Sequence, residues 1–117
     1  MRKFVIPSLL FAAFGSIAAH AHAMLDSASP SVGSTVASAP REVSLTFTQN
    51  LESAFSSVQV TGANGARVDQ GKPQISGNTM RVSLKSLSPG TYRVRWHVLS
   101  VDTHKTEGNF TFHVGGP

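Results

Sequence analysis

From Tyr92 to Val98 every second residue is large and apolar (Tyr92, Val94, Trp96, Val98), while Arg93, Arg95 and His97 fill the places between. Successive side chains of an extended chain point to opposite faces, so one oily side and one charged side at a period of two describe a half-buried strand. The pattern returns in Val43-Ser44-Leu45-Thr46-Phe47, in Val58-Gln59-Val60 and in Met80-Arg81-Val82-Ser83-Leu84. It closes with Phe110, Phe112 and Val114 facing inward against Asn109, Thr111 and His113. Gly62-Ala63-Asn64-Gly65, Gly77-Asn78 and Ser88-Pro89-Gly90 punctuate these runs as turns. No window carries a helical period. The expectation is an all-β fold, an antiparallel Greek-key sandwich or small barrel. Ser27 to Pro40, rich in Ser, Ala, Pro and Gly, reads as an extended edge and loop.

The sequence begins with a leader pattern. Arg2 and Lys3 precede an apolar run from Phe4 to about Ala19, interrupted by Pro7, Ser8, Gly15 and Ser16. That core is too short and broken for a membrane span, and Ala19-His20-Ala21 has the small-x-small form of a signal-peptidase site. The expected division is a cleaved signal peptide over 1–21 and one small exported domain over 22–117. Ten Lys and Arg oppose six Asp and Glu, but Arg2 and Lys3 leave with the leader, and no basic cluster tracks a phosphate backbone. Nucleic acid is therefore not an expected partner.

There is no cysteine. An exported domain without disulfides must rest on its apolar core. Residues such as Phe47, Val94, Trp96, Phe110 and Phe112 would each contribute roughly 1.5–3 kcal/mol when buried. Blue-copper electron transfer, thiolate zinc and cysteine nucleophiles are excluded with the thiols.

Cleavage after Ala21 would make His22 the first residue, with two nitrogen donors, the freed α-amine and its own imidazole. Bound through Nδ1, that pair closes a six-membered chelate ring. Asp102 and His104, one residue apart, would complete three nitrogens and one carboxylate oxygen, a donor set suited to tetragonal Cu(II). In extended chain Asp102 and His104 project to the same side. In a turn Asp102 would instead cap backbone N–H groups and His104 would be exposed. The triplet admits both readings. His97 and His113 lie on outward strand faces and read as solvated.

Several segments together resemble the bacterial copper resistance protein CopC family along nearly the whole exported part. They are His22-Ala23-Met24-Leu25 with Ser29-Pro30, Leu45-Thr46-Phe47-Thr48, and Leu87-Ser88-Pro89-Gly90-Thr91-Tyr92-Arg93-Val94. Trp96-His97-Val98-Leu99-Ser100-Val101-Asp102-Thr103-His104, followed by Gly108 and Phe110-Thr111-Phe112, completes the set. The resemblance implies a cupredoxin-like or immunoglobulin-like sandwich in the periplasm. It implies one Cu(II) held by His22, Asp102 and His104, and a role in copper sequestration, delivery or resistance. A monomer is expected, with an inner-membrane transporter of the CopD type as companion. Gln49 stands where family members often carry a carboxylate near the metal, a change worth roughly 10–100-fold in affinity. Only Met24 and Met80 follow the leader, too few for a thioether Cu(I) site of the kind some members have.

Two alternatives belong to other classes. A histidine-brace copper enzyme would share the amine and imidazoles but needs an open coordination position, which Asp102 is expected to fill. A Ser100-Asp102-His104 hydrolase is too compressed in sequence for a nucleophile–base line. The protein is therefore expected not to be an enzyme. The remaining alternative is a metal-free immunoglobulin-like interaction module.

Overall fold

The computed structural model describes residues 23–115. The expected leader, its cleavage site and His22 lie outside them. The described residues form eight strands: β1 (Leu25–Ser29), β2 (Thr35–Val36), β3 (Glu42–Phe47), β4 (Ser57–Gly62), β5 (Asp69–Ser76), β6 (Thr79–Leu84), β7 (Gly90–Leu99) and β8 (Lys105–Val114). A 3-10 turn, Ser53–Phe55, joins β3 to β4. Two four-stranded sheets result, ordered β1-β3-β6-β5 and β2-β8-β7-β4. The chain passes from one sheet to the other between β1 and β2, β2 and β3, β3 and β4, β4 and β5, and β6 and β7, which gives the crossed connections of a Greek-key sandwich. All pairings are antiparallel except the two-residue β2, which runs parallel to β8.

The period-two residues become the core. Val43, Leu45 and Phe47 of β3 and Met80, Val82 and Leu84 of β6 face Val58, Val60, Tyr92, Val94, Trp96, Val98, Phe110, Phe112 and Val114 of the other sheet, all buried. Phe47 meets Trp96 edge to face at 5.1 Å, and Tyr92 stacks on Phe112 at 5.6 Å. The Tyr92 hydroxyl, at the edge of this layer, donates to the Ser88 carbonyl and so fastens the turn that enters β7.

β5 carries no alternation in the sequence. Asp69-Gln70-Gly71-Lys72-Pro73-Gln74-Ile75-Ser76 is polar and holds both Gly71 and Pro73. Its place explains this. It is an edge strand with a register shift between Gln70 and Gln74, where Gly71 takes φ 77° and Pro73 forgoes a ladder donor. The strand is held at its start by Asp69, which accepts from the Val60 amide at 2.8 Å and takes both arms of Arg67, at 2.9 and 2.7 Å. Burial would raise the Asp69 carboxyl, but the Arg67 fork and the Val60 N–H outweigh it and hold the group below its usual range.

Candidate metal centre

β7 and β8 pair along their whole length, from Gly90 opposite Val114 to Leu99 opposite Lys105. Ser100 to His104 must therefore turn the chain. The Ser100 amide donates to the His104 carbonyl at 3.0 Å, and the Thr103 amide to the Ser100 carbonyl at 2.9 Å. Thr103 adopts φ 72°, a left-handed conformation that β-branched residues rarely enter. Asp102 and His104 thus converge through a tight turn and not through extended chain. Asp102 Oδ2 stands 3.5 Å from His104 Nδ1, with the side chains 42% and 46% exposed.

Ser100 sets this geometry. It continues the inward phase of Tyr92, Val94, Trp96 and Val98, so a hydroxyl occupies a core position and is fully buried. Its oxygen lies within reach of both the Asp102 carboxylate and the His104 carbonyl. A hydroxyl has one proton, and the His104 carbonyl already receives the Ser100 amide, so the proton goes to Asp102. That hydrogen bond above all, opposed by a small loss of hydration and aided by His104, holds the Asp102 carboxyl below the ordinary carboxylate range. Asp102 is an ionised, oriented and accessible acceptor near neutral pH. The same contact removes the hydrolase reading, because Ser100 is buried and gives its proton to the acid.

Two other segments gather at this end. Ala23 is fully buried, and its carbonyl accepts from Thr106 Oγ1 at 2.9 Å, two residues beyond His104. Met24 exchanges bonds with Thr48, its amide donating to Oγ1 at 2.9 Å and its carbonyl accepting from the Thr48 amide at 2.9 Å. The loop that follows is stitched to the turn by Val101 N–H to the Asn50 carbonyl, 3.0 Å, and Glu52 N–H to the Leu99 carbonyl, 2.8 Å. Gln49 lies half-buried in that loop, between Thr48 and Asn50.

Of the three expected donors, the structure brings together Asp102 and His104. His22 lies outside the described residues. Among the described residues no group of three His, Cys, Asp or Glu side chains could hold a metal ion. His97 and His113 face outward as expected, but neither is merely solvated. His97 Nδ1 pairs with Glu107 at 3.0 Å across the strands, and His113 Nδ1 lies 2.9 Å from Thr91 Oγ1. Met80 is fully buried and Met24 is 46% exposed, so the methionines do not assemble a soft site. Thr48, Ser100 and Thr106 do the positioning. Only Ser100 had a readable signal in the sequence, a polar residue in the inward phase of a strand.

A family model for the CopC domain matches residues 25–115. The chain is 37% identical over 103 residues to protein YobA of Escherichia coli K12, covering 85% of this chain and 82% of that one. The solved structure of CopC from Methylosinus trichosporium OB3b superposes with a TM-score of 0.71 at 33% identity, over 80% of this chain and 94% of that one. PcoC, a methionine-rich copper resistance protein from Escherichia coli, superposes with a TM-score of 0.68 at 37% identity, over 80% of this chain and 99% of that one. With the sandwich, the Asp102–His104 turn and a match along nearly all of the described residues, the chain belongs to the CopC family.

Proposed function

We propose that this protein is an exported copper carrier that takes Cu(II) as cargo and sequesters or delivers it in the periplasm. The ion would be held by the amine and imidazole of His22, the Asp102 carboxylate and the His104 imidazole. Three nitrogens and an oxygen suit Cu(II), which stands at the top of the divalent affinity series and favours a tetragonal plane. The observation that carries the reading is the Thr106–Ala23 hydrogen bond. It fastens the residue that follows His22 in the chain beside the strand that begins after His104. The Ser100 hydroxyl serves the same end by keeping Asp102 ionised and aimed. Because the amine and both imidazoles bind metal only in their unprotonated forms, affinity falls as pH is lowered. An inner-membrane transporter of the CopD type is the proposed recipient or source, and a monomer the proposed state.

The test is a Cu(II) titration of the processed protein, followed by EPR and by quenching of Trp96, the single tryptophan, which lies on β7 four residues before Ser100. One equivalent is expected to bind with a tetragonal spectrum. Asp102→Asn and His104→Ala are each expected to weaken binding by more than the roughly 10–100-fold of an outer-shell change. Unchanged titrations in both variants would remove this turn from the site.

A further inference from the structure

The outward face of the β4-β7-β8 sheet is unusual in its charge. Reading across the registers, Thr61, Arg93 and Thr111 form one row and Gln59, Arg95 and Asn109 the next. Arg93 and Arg95 point the same way from one strand, about 6.6 Å apart by strand rise. Like charges on one face repel, and sheets ordinarily set an acid across from a base. Here the facing positions on both neighbouring strands hold hydroxyls and amides. Arg93 donates to the neutral Asn109 side chain, and Arg95 makes no hydrogen bond or ion pair among the described residues. Glu107, one row on, is engaged by His97, and Asp69 is engaged by Arg67. Thr61 bridges to Arg67, whose guanidinium lines the same place but is already paired with Asp69, so Arg93 and Arg95 carry the uncompensated charge. Gln59, Thr61, Arg67, Arg93, Arg95 and Thr111 line a groove of about 570 Å³ in which every charged side chain is an arginine.

We propose that this groove docks an acidic segment of a partner protein in extended conformation. Guanidinium forks recognise carboxylates through paired N–H donors. In an extended segment, carboxylates at alternate positions repeat at the spacing of Arg93 and Arg95, so both can be engaged at once. A lipid surface fits less well. The exposed large hydrophobics, Met24, Val32, Phe55 and Val101, all lie outside the groove, so nothing there would enter a bilayer. A single small anion would leave one of the two arginines unmatched. β7 runs from this groove to the Asp102–His104 turn, so a partner docked here lies along the strand that carries the donors. The proposal rests on the arginine face alone and stands or falls separately from the copper reading.

The experiment is fluorescence anisotropy of a labelled peptide with Asp at alternate positions, titrated with metal-free protein at low ionic strength. Saturable binding is expected, weakening steeply as salt is raised. Arg93→Gln with Arg95→Gln should reduce affinity at least tenfold. Arg41→Gln with Lys85→Gln, cations away from the groove, should leave it unchanged. Amide NMR shifts on adding peptide to the unaltered protein should map to Gln59, Arg93, Arg95 and Thr111. Three results would overturn the proposal: no saturable binding, equal affinity in the Arg93/Arg95 variant, or NMR shifts elsewhere. Stronger retention by phosphatidylglycerol vesicles than by phosphatidylcholine, without peptide binding, would replace the acidic segment with a membrane. Displacement of the peptide by millimolar phosphate at constant ionic strength would replace it with a small anion.

Discussion

Gly108 sits opposite Trp96 in the β7–β8 pair, and the indole fills the space a side chain would occupy. A Cβ built at Gly108 would stand 2.6 Å from Trp96 Cζ2, 3.0 Å from Cε2 and 3.2 Å from Cη2. Carbon atoms rest about 3.5–4.0 Å apart, so Gly108→Ala forces an overlap of roughly an ångström. The ring has little room to retreat, since it packs edge-on against Phe47, itself 1% exposed. Overpacking of this kind costs about 1–3 kcal/mol, and a contact at 2.6 Å belongs at the upper end. Replacing glycine within a strand returns about 0.5–1 kcal/mol of backbone entropy. The net expectation is a loss of about 2 kcal/mol, or a melting temperature lower by roughly 4–8 °C for each kcal/mol. Urea unfolding followed by the single tryptophan reads it directly. Gly115→Ala is the control: its Cβ would meet only ordinary contacts at 3.6 and 3.7 Å, and stability should stay within about 0.5 kcal/mol. If Gly108→Ala proves neutral or stabilising, the indole is not packed as described and the edge-to-face layer is wrong.

Ser100→Ala removes the donor to Asp102 while the Ser100 amide still holds the turn, so the carboxyl should titrate higher, toward the ordinary aspartate range, by carbon NMR. The cost to folding should be about 1 kcal/mol, and an unmoved Asp102 titration would show that the hydroxyl does not set its charge. Asp69 is held below its unfolded value, so its contribution is complete above about pH 4 and is lost as pH falls through the lower folded value. Asp69→Ala should therefore lose about 1–3 kcal/mol at pH 7 and show a shallower acid slope below pH 4, measured by urea midpoints across pH. Equal slopes in both proteins would remove Asp69 from the acid response.

The strands that bury one face announce themselves, because burial imposes the period of two on β3, β4, β6, β7 and the second half of β8. The edges do not. β5 is free on one side and tolerates Gly71 and Pro73, so no alternation survives to be read. β8 begins at Lys105, five residues before its first large apolar side chain, since Gly108 yields its inward place to Trp96. At the site, Asp102 and His104 were readable as residues and a turn as one of two conformations, but the sequence did not choose between them. The left-handed Thr103 breaks the usual preference of a β-branched residue, in a turn closed by backbone bonds between Ser100 and His104 and between Thr103 and Ser100. The contacts of Thr106 with Ala23 and Thr48 with Met24 join parts of the chain 83 and 24 residues apart, a separation that no local pattern encodes.

The copper account turns on a free amine at His22. Cu(II) affinity should be compared between protein beginning at His22 and the same protein carrying one extra glycine before it. The extension keeps every side chain and abolishes the terminal chelate ring. A large loss of affinity with an altered EPR spectrum is the predicted result. Equal affinity and identical spectra would contradict it.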